Sequence, residues 1–169
     1  MRSAARRFLL PLAATAGLAG CGHSAPTRVF TLAGAPPASA PSAYAGRPFR
    51  VDAVHLPSAL DRVEVVRQTG AERLQIDDLD HWGAPPGDLA RRALTQDLVA
   101  RLPTGAVIYP DSPKPSGAGG LVVDVLAFQR TDQGYLLDAS WTLLTDPPGA
   151  PPPGGQVHLL DPDVGAEDA

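Results

Sequence analysis

The chain contains a single cysteine, Cys21, whose thiol supplies a nucleophilic sulfur. It follows a segment with the three parts of a secretory signal. Arg2, Arg6 and Arg7 provide positive charge, residues 8–18 form an apolar run, and small residues then lead to the cysteine. The apolar run is too short to span a bilayer. Because a lone cysteine has no partner for an internal disulfide, its thiol is available for another reaction.

The residues Leu18-Ala19-Gly20-Cys21 resemble the lipobox of bacterial lipoproteins. The resemblance implies that the Cys21 sulfur forms a thioether with diacylglycerol, and that cleavage between Gly20 and Cys21 removes the signal peptide, 1–20. Residue 22 is glycine and not the aspartate that commonly retains lipoproteins in the inner membrane of enteric bacteria. We therefore expect a lipid anchor at the periplasmic face of the outer membrane. The alternative is an ordinary signal peptide with a chance cysteine.

Composition limits the nature of the chain after the cysteine. Cleavage leaves 149 residues, enough for one domain, and a net charge of −4 with mixed signs offers no basic field for nucleic acid. The 19 prolines and 17 glycines are clustered. We expect a flexible tether at 21–46 with a short strand at 28–32, a folded domain at 47–145, and a Pro/Gly-rich acidic tail at 146–169 that is disordered.

Alternating apolar and polar residues predict β-strands across the domain. The predicted strands are 49–55, 63–67, 73–76, 121–128 and 135–144. The glycine-containing segment 69–71 predicts a hairpin between the second and third of them. Residues 130–134 should close an antiparallel hairpin between the last two.

One segment, 85–102, has the pattern of an amphipathic helix. The prolines at 85–86 suit a first turn, Leu94 and Leu98 belong to an apolar row spaced four residues apart, and Pro103 ends the pattern. These elements predict an α+β fold in which a mixed or antiparallel sheet is covered on one face by helix. One helix covers only part of such a face, so the remainder is left for a partner, another copy of the chain or a further helix.

The polar residues form no catalytic or metal-binding pattern. The densest cluster, 77–81, lacks the spacing of a calcium loop, and we interpret it as a solvated connection between a strand and the helix. Asp61 and Arg62 predict a local ion pair of little energetic weight. No nucleophile elbow, phosphate-binding glycine loop or zinc spacing is found. The sequence predicts no catalytic residue, no metal ligand and no cofactor.

Several short segments carry a resemblance through their order and spacing. They are Val51-x-x-Val54-x-Leu56-Pro57, Leu60-Asp61-Arg62, Val65-Val66-Arg67, Trp82-Gly83-x-Pro85, Leu94-x-x-Asp97-Leu98 and Leu102-Pro103. Together they resemble the PqiC/YmbA-type ABC-transport auxiliary lipoproteins. Residues 28–32 and 135–144 resemble two further strands of that family, so the likeness covers roughly 18–144. His81 and Pro86 stand where the family usually has arginine and leucine.

The resemblance implies a role in transport. Such lipoproteins accompany a periplasmic protein with a mammalian-cell-entry (MCE) domain and its inner-membrane permease and ATPase, which move lipids between the two membranes. It implies an adaptor held in the membrane by Cys21, with these proteins as partners and self-association left open. Leu60, Asp61, Arg62 and Trp82 are candidate partner-binding or structural positions because they carry the resemblance. Burial against the helix explains Trp82 as well as partner binding does.

The C-terminal part departs from the family pattern. Family members usually continue into another strand and a helix, whereas this chain continues with DPPGAPPPGG, a short apolar run at 157–160 and acidic residues. We therefore expect the C-terminal family helix to be missing. Two other function classes stay open: a stand-alone lipid-binding or outer-membrane assembly lipoprotein, and a surface enzyme with an unrecognised site.

Overall fold

Strands dominate the part of the chain that the structure describes. The structure is a computed structural model that describes residues 25–34, 43–70, 72–145 and 151–162. The strands are β1 (Arg28–Phe30), β2 (Phe49–His55), β3 (Glu64–Gly70), β4 (Arg73–Trp82), β5 (Val107–Ile108), β6 (Gly119–Thr131), β7 (Gly134–Leu144) and β8 (Gly154–Asp161). A single helix, α1 (Pro86–Arg101), lies between β4 and β5 within these ranges. The predicted α+β class is confirmed.

The strands form two mixed sheets. The smaller sheet has the order β1-β4-β3, in which β1 runs parallel to β4 and β3 runs antiparallel to it. The larger sheet has the order β5-β2-β6-β7-β8. In it β2 is parallel to both neighbours, while β6, β7 and β8 form an antiparallel meander. Both predicted hairpins, β3–β4 and β6–β7, are confirmed.

Helix α1 lies on one face of the larger sheet, against β2. Pro86 occupies its first turn after Pro85, as the proline pair predicts, and Leu102 adopts an extended conformation before Pro103. Gly87 lets the first turn approach β2 closely, because a Cβ at this position would lie 2.9 Å from the carbonyl oxygen of Val54.

The buried core of the described residues is small. Its apolar members below a tenth exposed are Phe49, Val51, Leu89, Ala106, Ala118 and Ala139. They lie where α1, β2 and the adjoining strands of the larger sheet meet. Most other apolar side chains of this sheet are only half-buried, so one of its faces is incompletely covered.

Two segments expected to lie outside the domain contribute strands. Gly154–Asp161 form β8 and pair with β7 from Thr142↔Gly154 to Tyr135↔Asp161, so the prediction of a disordered tail is wrong for these eight residues. Arg28–Phe30, inside the predicted tether, form β1 and pair with β4. Within the described residues after β7, the chain continues as a strand and not as a helix.

Candidate binding cleft

An apolar cleft lies between α1 and the exposed half of the larger sheet. Strand register places Val123 opposite Trp141, and Ala139 between Val125 and Val157 on the neighbouring strands. Antiparallel partners project on the same face of a sheet, so these side chains form one continuous surface. That surface is the floor of the cleft.

The walls of the cleft are almost entirely apolar. Its lining residues are Tyr44, Phe49, Leu94, Leu98, Leu121, Val123, Leu137, Ala139, Ser140, Trp141, Leu143, Val157 and Leu159. Its volume is about 480 Å³, inside the range of roughly 300–1,000 Å³ that is typical of small-molecule sites. Leu94 and Leu98, predicted to share one helix face, form its helical wall.

The cleft exists because one helix is narrower than this sheet. Five strands about 4.8 Å apart make a sheet roughly 24 Å wide, whereas a helix with its side chains covers only about 10–12 Å. Because α1 packs against β2, no helix of the described residues covers the same face of β7 and β8. Leu159 of β8 is consequently 55% exposed although it faces the cleft.

Polar groups at the cleft are already engaged or point elsewhere. The hydroxyl of Tyr44 donates a hydrogen bond to the carbonyl oxygen of Arg47 at 2.6 Å, and partial burial raises the pKa of Tyr44. Ser140 pairs with Asp124 and therefore belongs to the opposite face of the sheet. A surface of this chemistry binds apolar side chains or hydrocarbon and offers little to orient a polar ligand.

The opposite face of the larger sheet carries charged groups. Arg50 Nε and Lys114 Nζ each donate to a carboxylate oxygen of Asp52, at 2.7 and 2.9 Å. Burial acts to raise the pKa of Asp52, but these two hydrogen bonds outweigh it and lower that pKa. Farther along, His158 of β8 contacts Asp138 of β7. This face therefore mixes ion pairs with apolar side chains, whereas the cleft face is almost entirely apolar.

The smaller sheet contains an ion pair with a fully buried carboxylate. Asp80 is fully buried and accepts two hydrogen bonds from the guanidinium of Arg28. The interpretation of 77–81 as a solvated connection is therefore wrong, because these residues belong to β4. The burial of Asp80 is possible because Arg28 on the adjacent strand neutralises its charge. The residues around Asp80 in the sequence give no indication of this distant partner.

The positions singled out from sequence do not meet in the cleft. Leu60, Asp61 and Arg62 form a turn after β2, in which the amides of Leu60 and Asp61 both donate to the carbonyl of Pro57. Arg62 pairs with Glu64 at 3.2 Å and not with Asp61, so the predicted local ion pair is wrong. Trp82 ends β4 beside Phe30 of β1.

The remaining points concern the signal cleavage site, metal binding and membrane-spanning helices. Gly20 and Cys21 lie outside the residues that the structure describes. Within the described ranges, no group of three or more His, Cys, Asp or Glu side chains is arranged to hold a metal ion. Helix α1, the helix of those ranges, is not long and apolar enough to cross a membrane.

Comparison with known proteins places this fold in a family. The model of the ABC-type transport auxiliary lipoprotein component matches residues 30–162, from the last residue of β1 to just beyond the end of β8. The chain belongs to this family. The match extends beyond the predicted domain of 47–145 at both ends, and it includes all of β8, which sequence reasoning placed outside the domain.

Solved structures share the fold at low sequence identity. A crystal structure of an uncharacterized protein superposes with a TM-score of 0.59 at 21% identity, covering 80% of this chain and 81% of the other. Protein XCC0632 from Xanthomonas campestris, of family DUF330, gives a TM-score of 0.59 at 11% identity, covering 83% and 81%. Among curated proteins, no sequence matches the chain significantly.

Proposed function

We propose that this protein is the periplasmic adaptor of an MCE-type intermembrane lipid transport system, anchored in the outer membrane and contributing to membrane integrity. Membership of the transport auxiliary lipoprotein family supports the class of function. The lipobox at Cys21 and the glycine at residue 22 support the anchor and its membrane. The observation that carries the adaptor role is the uncovered apolar face of the larger sheet.

The cleft is the surface on which the partner binds. Its floor and its helical wall expose aliphatic and aromatic side chains that a monomer in water leaves partly hydrated, and covering them is favourable by about 25 cal/mol per Å². The occupant we propose is an apolar segment of the MCE-domain protein. The remaining transport components act through that protein in the inner membrane.

The protein acts by binding and hydrolyses nothing. Catalysis requires polar groups convergent on a reacting atom, and the cleft presents hydrocarbon instead. The ion pairs of Asp52 and Asp138 lie on the other face of the larger sheet. The ATPase of the system therefore supplies the free energy for lipid transport.

Two adjacent leucines of β8 allow a matched test of the docking surface. Leu159 lines the cleft, whereas Leu160 pairs with Leu136 on the other face, and their exposed fractions are 55% and 45%. Pull-down of the detergent-extracted protein from its native host should recover the MCE-domain protein with wild type and with Leu160→Glu. Leu159→Glu should lose it while retaining the wild-type unfolding midpoint.

A different set of outcomes would overturn this function. Recovery of outer-membrane assembly factors in place of the MCE-domain protein would favour a stand-alone lipoprotein. Equal recovery with Leu159→Glu and wild type would remove the cleft from the interface. If the protein self-associates in solution and Leu159→Glu leaves partner recovery unchanged, the cleft is assigned to a second copy of the chain.

The second candidate is a stand-alone lipid-binding lipoprotein. The observation in its favour is that a cleft of about 480 Å³ with apolar walls also accepts a hydrocarbon chain. Mass spectrometry of lipids that co-purify with the protein distinguishes the two functions. One co-purified lipid per protein, lost in Leu159→Glu, supports lipid binding. Protein without co-purified lipid, apart from the acyl chains on Cys21, supports the adaptor.

The anchor is tested separately at the cysteine. Intact-mass analysis of the membrane-extracted protein should show an acylated N-terminal Cys21 and loss of residues 1–20. Cys21→Ser should abolish acylation and release the protein from membranes. A Cys21→Ser protein that is still cleaved and still partitions with membranes would contradict the lipoprotein assignment.

A further inference from the structure

We propose that an apolar patch beside β1 lies against the bilayer that holds the lipid anchor. The patch consists of Phe30, Trp82 and Val63, which form one row across the end of the smaller sheet, together with the neighbouring exposed residues Val29 and Leu32, and we call it the β1 patch. This inference rests on the lipid anchor of the proposed function and adds a second membrane contact made by the folded domain itself. The partner it names is the lipid surface.

Backbone contacts bring the β1 patch together from three parts of the chain. Phe30 pairs with Trp82 across the β1–β4 ladder, and its carbonyl accepts a hydrogen bond from Gly83 at 2.8 Å. The amide of Trp82 donates to the carbonyl of Val63 at 2.7 Å. A Cβ built at Gly83 would lie 3.3 Å from Val29 Cγ1. Residues distant in sequence thus surround the end of β4.

The patch is exposed where a water-soluble surface would be polar. Val29 is 69% exposed and Val63 is 61% exposed, while Phe30 and Leu32 are 39% and 40% exposed. Scattered exposed apolar residues are ordinary, but a cluster of them around one strand end marks a contact surface. Trp82 at the centre is a residue type enriched at membrane interfaces.

The number of residues between Cys21 and β1 limits the distance between the β1 patch and the membrane. A tether that ran free from Cys21 to residue 47 would let the domain reach roughly 90 Å from the bilayer. Because β1 is paired with β4, seven residues along the chain separate Cys21 from Arg28 of the folded domain. Seven residues fully extended span at most about 25 Å. The β1 end of the domain therefore stays within about 25 Å of the membrane that holds Cys21.

The charges beside the patch indicate a hydrophobic contact and not an electrostatic one. Arg28 is neutralised by Asp80, and Arg62 is paired with Glu64. Asp61 is exposed nearby, while His81 lies opposite Glu64 in the β3–β4 ladder. With both signs present, we expect the contact to depend little on salt or on the fraction of anionic lipid.

Tryptophan fluorescence can measure this contact directly. The chain has two tryptophans, so Trp141→Phe leaves Trp82 as the sole reporter. The mature lipidated protein carrying this change is reconstituted into phosphatidylethanolamine/phosphatidylglycerol vesicles with and without brominated acyl chains, which quench tryptophan at short range. We expect quenching of Trp82 by the brominated vesicles and a blue shift of its emission.

A charge placed in the patch should remove the quenching, and a charge placed far from it should not. Val63→Glu is the test variant. Leu144→Glu is the matched control. Leu144 is 49% exposed and pairs with Gly120 in the larger sheet, whereas the β1 patch borders the smaller sheet. The proposal predicts loss of quenching for the first variant only, with both proteins still bound to vesicles and both unfolding at the wild-type midpoint.

The outcomes separate this inference from the function on which it rests. A protein that floats with the vesicles while Trp82 is unquenched keeps its anchor and overturns the membrane contact. A protein that does not float at all lacks the lipid, and the anchor of the proposed function then fails. Equal loss of quenching in Val63→Glu and Leu144→Glu would also overturn the assignment of the β1 patch.

Discussion

Arg28 and Asp80 form a two-pronged ion pair across the parallel strands β1 and β4. Nε and Nη2 of Arg28 donate to the two carboxylate oxygens of Asp80, and each donor–acceptor distance is 2.6 Å. The Asp80 side chain is buried whereas that of Arg28 is 65% exposed. The hydrogen bond to Asp80 raises the pKa of Arg28 above its ordinary value. This pair connects β1, the first strand of the described residues, to β4 of the folded domain.

The asymmetric burial of this pair predicts unequal effects of its two substitutions. Arg28→Ala leaves a buried carboxylate without its cation, so β1 should detach and the urea midpoint of unfolding should fall clearly. Asp80→Asn keeps an oxygen acceptor and leaves the exposed guanidinium in water, so its effect should be smaller. Urea unfolding and hydrogen exchange at residues 28–30 measure both. Equal losses in the two variants would contradict the role of burial.

Two glycines with positive φ predict a graded loss of stability on substitution by alanine. Gly105 has φ +86° with open space around it, so Gly105→Ala should cost about 1–2 kcal/mol from backbone strain alone. Gly134 has φ +128°, and a Cβ there would overlap the backbone carbonyl of Asp161. Gly134→Ala adds this clash to strain of about 1–3 kcal/mol.

Urea unfolding of the two glycine variants gives the comparison. The larger loss should belong to Gly134→Ala, accompanied by faster hydrogen exchange in β8, because relieving the clash moves the end of β8 away from the β6–β7 turn. A smaller loss at Gly134 than at Gly105 would show that β8 does not pack against this turn.

Asp52 should make stability depend on pH in the acid range. Its folded pKa lies below the ordinary 3.8 because the hydrogen bonds from Lys114 and Arg50 outweigh burial. Its contribution is therefore present above pH 3.8 and is lost as pH falls through the folded pKa. Asp52→Asn should be less stable at neutral pH, by about 1 kcal/mol for such a partly exposed pair.

The pH experiment has an internal control on the surface. Asp111 lies 3.4 Å from Arg92, and both side chains are exposed, so Asp111→Asn should unfold like wild type at every pH. The difference between Asp52→Asn and wild type should close as pH falls below 3.8 and through the folded pKa of Asp52. A difference that persists there would mean that Asp52 acts through packing and not through its charge.

Hydrogen exchange should distinguish the two edges of β8. Residues 154–161 form a ladder with β7, and β8 is the last strand of the larger sheet. The preceding residues 151–153 are prolines and carry no amide hydrogen, so the reference lies within β8 itself. Amides of β8 that point toward β7 should exchange at least tenfold more slowly than those that point away from it. Uniformly fast exchange across 154–161 would restore the prediction of a tail without fixed structure.

Local patterns predicted the elements whose partners are near in sequence. Leu94 and Leu98 share a helix face by their spacing alone, and the strict alternation from Tyr135 onward sets one face of β7. The β6–β7 and β3–β4 hairpins followed from short turns. In each case the information needed to place a side chain lies within about a dozen residues of it.

The elements that were missed depend on distant partners. Asp80 looks like a loop residue in its acidic context, and its burial requires Arg28, 52 residues away. The β8 residues Val157 and Leu159 follow a proline-rich stretch that breaks any periodic pattern. Their role becomes visible only when β7 provides a strand with which to pair. The cleft could be anticipated as an uncovered face, but not its β8 wall.

The parallel pairing of β2 has a consequence for the order in which the chain folds. Phe49 pairs with Val107 in β5 and with Gly119 in β6, so β2 must wait for partners that are synthesised far later. Such non-local contacts slow folding because a long loop closes before any pairing rewards it. The meander of β6, β7 and β8 can form early by itself. A chain interrupted before residue 107 presents both edges of β2 to other unfolded molecules, which makes early termination products of this protein prone to aggregate.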